Sequence, residues 1–197
     1  IPLQSALGSS LVDPVTATQI LPPFDNSAMD GYAVRALDVF GAPVDLNQIG
    51  ESQAGARFAG TVKAGETVRI FTGALLPDGA DAIIMQENTE ADGARIRIKE
   101  GVVSGKYVRP AGMDFSEGDV PLKAGTILSA RDLGLVAAMN VPSLKVRRRP
   151  RVAFTATGEE LTMPGGELRP DQIVSSNRFA VAAYIETLGG VPFNLGI

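Results

Sequence analysis

Through the middle of the chain, hydrophobic residues come in short runs that glycine and proline cut off. Thr67-Val68-Arg69-Ile70-Phe71-Thr72 is rich in β-branched residues and stops at Gly73, which reads as a strand. Ala82-Ile83-Ile84-Met85 follows. Ala94-Arg95-Ile96-Arg97-Ile98-Lys99 then alternates with the period of two that turns one strand face to a core. Asp92-Gly93, just before it, is a hairpin-turn signal. Many short strands with frequent turn signals predict a small all-β domain, either a sandwich or a partly open barrel. Further on, Ser129 with Asp132 three residues later makes a capping-box start for a helix over roughly Ala130 to Met139, and Asn140-Val141-Pro142 ends it.

The last stretch has a different rhythm. Arg151-Val152-Ala153-Phe154-Thr155-Ala156-Thr157 is mostly apolar, predicts a buried strand, and is stopped by Gly158. Ser175 and Ser176 offer N-caps for a helix from Asn177 to Leu188 with an apolar face and a Gly189-Gly190 stop. Val191 to Ile197 reads as a second strand, with Pro192 limiting the pairing near its start. Strand, helix, strand is one βαβ unit, the opening of a parallel sheet. Such a sheet is covered on both faces and normally has more than two strands. The expectation is therefore a truncated chain whose sheet continues past residue 197, and a first residue, Ile1, left by processing, cleavage or omission of an earlier segment. Between the two regions, Lys145, Arg147, Arg148, Arg149 and Arg151 form a cationic run. It reads either as an anion patch or as a solvated connector; the absence of interleaved aromatics favours the connector, and Pro150 inside the run marks a domain boundary.

Composition narrows the chemistry. The 197 residues fit one or two domains, and a hydrophobic share of 45% is that of a globular protein. The net charge of −4 leaves no basic footprint for nucleic acid as the main partner. No run approaches the roughly 18 apolar residues of a membrane span, and no charged start with an apolar stretch marks a signal peptide; a cytoplasmic location is expected. The chain has no Cys and no His. That excludes disulfides, thiolate nucleophiles, Ser-His-Asp triads and most transition-metal sites. Carboxylates, hydroxyls, Lys, Arg and backbone groups remain, and they favour a hard cation such as Mg²⁺.

The most unusual stretch runs from Leu21 to Val34: Leu21-Pro22-Pro23-Phe24-Asp25-Asn26-Ser27-Ala28-Met29-Asp30-Gly31-Tyr32-Ala33-Val34. Two prolines fix an extended entry, Asp25-Asn26-Ser27 can form side-chain turns, and Asp30-Gly31 makes a tight turn before a short strand. Composition alone allows these to be turn formers and nothing more. As a string, however, the segment resembles the signature of the molybdopterin molybdenumtransferase family, the bacterial relatives of the gephyrin C-terminal domain. Further stretches resemble the same family in the same order. They are Ile70 to Ala74 with Pro77 to Ala82, Val108-Arg109-Pro110-Ala111-Gly112-Met113-Asp114, Phe154 to Leu161, and Ser176-Asn177-Arg178.

The resemblance implies an enzyme of molybdenum cofactor biosynthesis that inserts molybdate-derived metal into adenylated molybdopterin, releases AMP and requires Mg²⁺. It also implies a homodimer, with the molybdopterin adenylyltransferase as a further partner and no nucleic acid or membrane. The family's catalytic positions carry over to Asp30, Thr72 and Glu160, with Glu160 also the metal ligand. Substrate-binding positions carry over to Arg109, Asp114, Gly158 and Asn177. Asp30 and Thr72 resemble contributions from the second subunit of the dimer. The implied fold class is multi-domain α+β and α/β. Residues 1–17 plus 113–148 form an elongated dimerisation domain, 18–112 an inserted small β domain, and 149–197 the start of a parallel-sheet α/β pterin-binding domain. A full family member continues into Gly-Gly-Val-Ser-Val-Gly and Leu-Pro-Gly-Asn-Pro motifs, neither of which occurs here, so the chain alone is expected to be inactive. A non-catalytic dimeric scaffold of the gephyrin type and a phosphoanhydride hydrolase are the alternatives. Thr72 could equally be an ordinary strand hydroxyl, and the Gly158-Glu159-Glu160 loop a helix start whose acids favour the dipole.

Overall fold

A computed structural model of the chain describes residues 1–196. The chain divides into two compact units, one of Thr16–Pro121 with Ala138–Asn140, the other of Ile1–Val15, Leu122–Ala137 and Val141–Ile197.

The first unit is built on strands. β1 (Asn26–Ser27), β2 (Gly31–Val34), the one-turn helix α1 (Ala36–Val39), β3 (Val44–Ser52), β4 (Glu66–Ile70), β5 (Ala82–Met85), β6 (Thr89–Asp92), β7 (Arg95–Ile98) and β8 (Val108–Arg109) follow in order. Six of them form one mixed sheet in the order β5-β2-β4-β3-β7-β6, and β1 pairs separately with β8. All neighbours in the sheet are antiparallel except β3 and β4. The sandwich alternative is corrected in its proportions: one six-stranded sheet carries both core clusters, and the other sheet of the unit is only the two-stranded β1–β8 pair, whose Val108 packs on one of them. The reason lies in strand alternation. Tyr32 and Val34 of β2 join Leu46, Ile84, Ile96 and Ile98 in one buried cluster with Val39 of α1. Ala33, between them, joins Val68, Ile70 and Ile83 in another, which Val62 and Ala74 from the loops complete. Each face thus carries an apolar cluster of its own.

Local chemistry sets the strand ends. The predicted strand over Thr67–Thr72 starts and stops earlier, at Glu66 and Ile70: the Phe71 N–H makes the last bond to β3, at the Ser52 carbonyl, and the next N–H, of Thr72, goes to a side chain. The hairpin turn sits one residue later than Asp92-Gly93. Asp92 pairs with Arg95, so Gly93 and Ala94 form the loop. Gly93 alone carries a positive φ, +59°, the pattern of a type II′ turn.

In the second unit, bridges tie Ser10 to Ile127, Leu11 to Val146 and Val15 to Leu122, around buried Ala6, Leu11, Leu128, Val136 and Leu144. α2 (Ala130–Ala138) begins with the predicted capping box. The Ser129 N–H and hydroxyl donate to Asp132 Oδ2 at 2.8 and 2.7 Å, and the Asp132 N–H donates back to Ser129 Oγ at 3.3 Å. After the helix, Asn140 adopts φ +60°. In the cationic run, Lys145 and Arg147 to Arg149 are exposed, and Lys145 pairs with Asp13 at 3.2 Å. This is the arrangement of a solvated connector.

The rest of this unit comprises β9 (Arg151–Phe154), β10 (Leu161–Thr162), β11 (Ile173–Val174), α3 (Asn177–Thr187) and β12 (Val191–Asn194). β9 and β12 run parallel with Arg151 opposite Val191 and Phe154 opposite Asn194. The parallel βαβ arrangement is therefore present, and β10 adds a second short parallel pair with β11. Two expectations are corrected. β9 ends at Phe154 rather than Thr157, and its first three residues are exposed, not buried. Among the described residues it has β12 as its one strand neighbour and little over its faces, and α3 has no buried residue. Nor do Ser175 and Ser176 cap α3: Ser176 occupies the N-cap position with helical φ and ψ, and no side chain bonds the free N–H groups. Pro192 sits opposite Val152 within the ladder, and the predicted Ile197 end of the strand lies outside the described residues. No helix among the described residues is long and apolar enough to cross a membrane.

Candidate functional site

The signature loop is a framework of backbone hydrogen bonds with one carboxylate held in place by it. Ser27 is buried and its N–H and carbonyl bond the Ala74 carbonyl and the Gly73 N–H. This clamps the loop to the segment after β4. Gly31 opens β2 so close to β5 that a Cβ there would overlap the Ile84 carbonyl oxygen. Between these fixed points Asp30 has little freedom. Its Oδ1 accepts the Thr72 backbone N–H at 2.8 Å and the Thr72 hydroxyl at 2.9 Å. The Thr72 N–H, then its hydroxyl, hold the Asp30 carboxyl below the usual carboxylate range; desolvation opposes them less strongly, and the charge of Arg69 adds the smallest lowering. Asp30 is thus an ionised acceptor whose Oδ2 makes no hydrogen bond among the described residues, and a weak proton acceptor at neutral pH. The two catalytic positions carried over to this unit, far apart in sequence, form one hydrogen-bonded pair.

Arg69 was not picked out in the sequence. It lies on β4 opposite Tyr32, with its guanidinium 5.1 Å from the Tyr32 ring centroid and 4.8 Å from that of Phe71. It donates to the Gly31 carbonyl at 2.7 Å and to Gln86 Oε1. The guanidinium therefore holds the residue next to Asp30, the far strand end and two aromatic faces at once. The available signal was a cation between the apolar residues Val68 and Ile70 of a strand, two residues before an aromatic. Asn26 is also new: it is buried, and its Oδ1 has no partner among the described residues.

Arg109 and Asp114 form a pair of their own. One Arg109 nitrogen reaches Asp114 Oδ1 and Oδ2 at 3.0 and 2.9 Å. Their loop is joined to the signature loop by the ladder of Arg109 with Asn26 and by the Ala111 N–H, which donates to Asp25 Oδ1 at 2.8 Å. No hydrogen bond connects either of them to Asp30 or Thr72 among the described residues.

The βαβ unit carries the other carried-over residues. A cavity of about 410 Å³ opens where β9 and β11 end and α3 begins, and Thr155, Thr157, Glu160, Ser175, Ser176, Asn177 and Arg178 line it. Glu160 folds back over Gly158, where a Cβ would meet both carboxylate oxygens at 2.6 Å; Gly158 has φ +147°. The glycine thus leaves room for the Glu160 side chain, and Glu160 and Asn177 do share one cavity. Among the described residues, no group of three or more acidic side chains is arranged around a metal. A Mg²⁺ ion is commonly held by one or two carboxylates and completed by substrate phosphates and water, and a single exposed Glu160 in a cavity fits that donor chemistry.

The family model for the MoeA N-terminal region (domain I and II) matches residues 1–140. The chain belongs to the MoeA family. Its MoeA-family relatives include a molybdopterin molybdenumtransferase of Nostoc sp., 41% identical, the match spanning 100% of this chain and 46% of that protein. Molybdopterin molybdenumtransferase 2 of Mycobacterium tuberculosis is 40% identical over 96% of this chain and 48% of its own length. Among solved structures, a molybdopterin biosynthesis moeA protein from Pyrococcus horikoshii OT3 superposes with a TM-score of 0.94 at 33% identity, covering 100% of this chain and 54% of that one. The chain spans about half the length of the curated relatives it matches. Its architecture, mostly sheet with few helices, is that of these MoeA structures.

Proposed function

We propose that this chain is part of an enzyme that inserts molybdate-derived metal into adenylated molybdopterin and releases AMP. The observation that carries the reading is identity across the whole chain with proteins named molybdopterin molybdenumtransferase. In this reading the active protein is a homodimer, with Asp30 and Thr72 of one subunit facing the α/β unit of the other. The dimerisation, inserted β and pterin-binding domains keep the boundaries given above. The molybdopterin adenylyltransferase, which supplies an adenylated substrate, is the proposed upstream partner.

Each residue has a task that follows from its surroundings. Thr72 donates its hydroxyl hydrogen to Asp30 Oδ1, so the hydroxyl lone pairs and Asp30 Oδ2 are what the pair offers to a substrate. Asp30, kept ionised, orients a donor group or a water molecule and holds its negative charge fixed. Arg69 keeps the strand end under Asp30 from moving. Glu160 is the residue that would hold Mg²⁺, with the remaining ligands from substrate phosphate and water. When bound, the ion supplies charge neutralisation between two anionic reactants and polarises the phosphoanhydride. Arg109, Asp114, Gly158 and Asn177 are proposed to contact the substrate. Gly158 contributes by leaving room beside its backbone for the Glu160 carboxylate.

The test is AMP release by the full-length protein that contains this chain. Release that needs adenylated molybdopterin, molybdate and Mg²⁺ together, and falls about a hundredfold or more in Glu160→Ala and Asp30→Ala, supports the proposal. Equal hydrolysis of unrelated nucleotide conjugates would replace it with a hydrolase. A dimer that binds neither pterin nor molybdate would replace it with a scaffold.

A further inference from the structure

Gln86 follows β5 in the single 3₁₀ turn Gln86–Asn88. β2 and β5 pair with Gly31 opposite Met85. One step further along the ladder Asp30 and Gln86 face each other, and the Gln86 N–H donates to the Asp30 carbonyl at 3.2 Å. Opposed residues of an antiparallel pair turn their side chains to the same face, with Cβ atoms about 4.5–5.5 Å apart. Phe71 falls on that face at the other side of Asp30, because Gly31 is opposite Ile70 of β4.

Arg69 decides which end of the Gln86 amide points outward. A guanidinium only donates, so the atom it holds is the amide oxygen, Oε1. The same guanidinium is bonded to the Gly31 carbonyl at 2.7 Å and lies against the Tyr32 and Phe71 rings, so it is itself fixed. The Gln86 amide nitrogen is thereby turned away from Arg69. One of its two hydrogens reaches Glu87 Oε1 over a long 3.4 Å, and the other has no acceptor among the described residues. Gln86 and Asp30 are both exposed, and Phe71 beside them is only half-buried. This end of the sheet thus sets an oriented donor next to the oriented acceptor Asp30 Oδ2.

We propose that Gln86 is a specificity-determining residue of the Asp30 site, and that the two side chains together read the edge of a planar heterocycle carrying an acceptor next to an N–H. An ionised carboxylate only accepts and the outward amide hydrogen only donates, so the pair matches such an edge and disfavours one with two donors or two acceptors. Phe71 supplies an apolar flank for the ring. Adenylated molybdopterin has two rings with an edge of this kind, its adenine and its pterin. The choice of these rings rests on the function proposed above; the donor and acceptor pair does not.

The test is equilibrium binding of two uncharged probes, adenosine and pterin, to the full-length protein that contains this chain, followed by ligand NMR. Gln86→Glu keeps the oxygen that Arg69 holds and removes the outward donor, so it separates contact with a ligand from mere support of Arg69. At least one probe should bind the parent saturably, and Gln86→Glu should weaken that binding about tenfold or more with an unchanged denaturant midpoint. The ring whose binding weakens is the one that is read. In AMP release from adenylated molybdopterin, the same variant should raise KM more than it lowers kcat. A parent that binds neither ring, or a Gln86→Glu protein that binds as the parent does, overturns the proposal. In the second case a loss confined to Gln86→Leu, which also removes the acceptor for Arg69, would make Gln86 a support for Arg69 and nothing more. A parent that binds a ring through Gln86 but releases no AMP removes the functional reading and leaves the donor and acceptor pair standing.

Discussion

The signature loop and the mouth of the βαβ unit both carry residues assigned to one chemistry, yet they are built in opposite ways. Around Asp30 the Thr72 and Arg69 donors are already engaged: Thr72 satisfies Oδ1 twice, Arg69 is bonded to Gly31 and Gln86, and the loop hangs from a sheet with apolar clusters on both faces. Among the described residues, the Ser175, Ser176 and Asn177 side chains near Glu160 make no hydrogen bond, β9 and β12 are largely exposed and α3 buries no residue. A carboxylate fixed in advance loses little freedom when it meets a partner, which suits a group that orients. A set of unsatisfied donors gains most from the ligand itself, which suits a group that binds.

The largest effects should separate the two regions by stability. Gly31→Ala forces β2 away from the Ile84 carbonyl of its neighbour β5. We expect a loss of about 3 kcal/mol or more, read as a lowered denaturant midpoint. Ile98→Ala, at a fully buried site, should cost about 2–4 kcal/mol. Val152→Ala on β9, 39% exposed, should cost less than about 1 kcal/mol. Amide hydrogen exchange reads the same contrast without mutation: β2 and β4 should protect their amides far longer than β9 and β12. Comparable protection in both would erase the distinction.

A smaller effect concerns charge. The depressed Asp30 pKa follows from Thr72 first and Arg69 later, so the two can be ranked by titrating the Asp30 carboxyl by NMR. Thr72→Val removes the hydroxyl and keeps the backbone N–H, and Arg69→Met removes the charge; both should move the titration upward, Thr72→Val by more. In sign terms, a carboxyl whose folded pKa lies below its unfolded value adds stability above about pH 4, and that stability is lost as pH falls through the folded value. Thr72→Val should therefore lose part of this pH dependence. An unmoved Asp30 titration in Thr72→Val would mean that the pair is not formed in solution.

These differences were partly readable in the sequence. The strands at 82–85 and 95–98 followed from their residues, because burial on one or both faces imprints its period on the chain. The Ser129-Asp132 box was legible because both partners lie within one turn. Asp30 and Thr72 were named by resemblance; that they bond each other depends on β2 and β4 being neighbours, a pairing across 42 residues that no local pattern encodes. Arg69 was missed for the same reason, since its aromatic neighbour Tyr32 is on another strand. Ser175 and Ser176 misled in the opposite direction. Serine before a helical run is a sound capping signal, but whether the hydroxyl turns to the helix or to a cavity is decided by what else lies there.

The smallest expected effect tests that last point and with it the whole contrast. Ser129→Ala breaks a closed capping box, so α2 should lose about 1 kcal/mol at neutral pH. The Ser129 hydroxyl, then its N–H, hold the Asp132 carboxyl below its usual range. The difference between Ser129→Ala and the parent should therefore be full above about pH 4 and shrink as Asp132 takes up a proton in more acid solution. It should not vanish, because the Asp132 N–H still donates to Ser129 Oγ in the parent. Ser176→Ala stands at the corresponding position of α3, where no such bond exists. It should change stability by less than about 0.3 kcal/mol at any pH. Equal losses at the two serines would show that α3 caps itself in solution, and the division into a prearranged acceptor and an open set of donors would no longer hold.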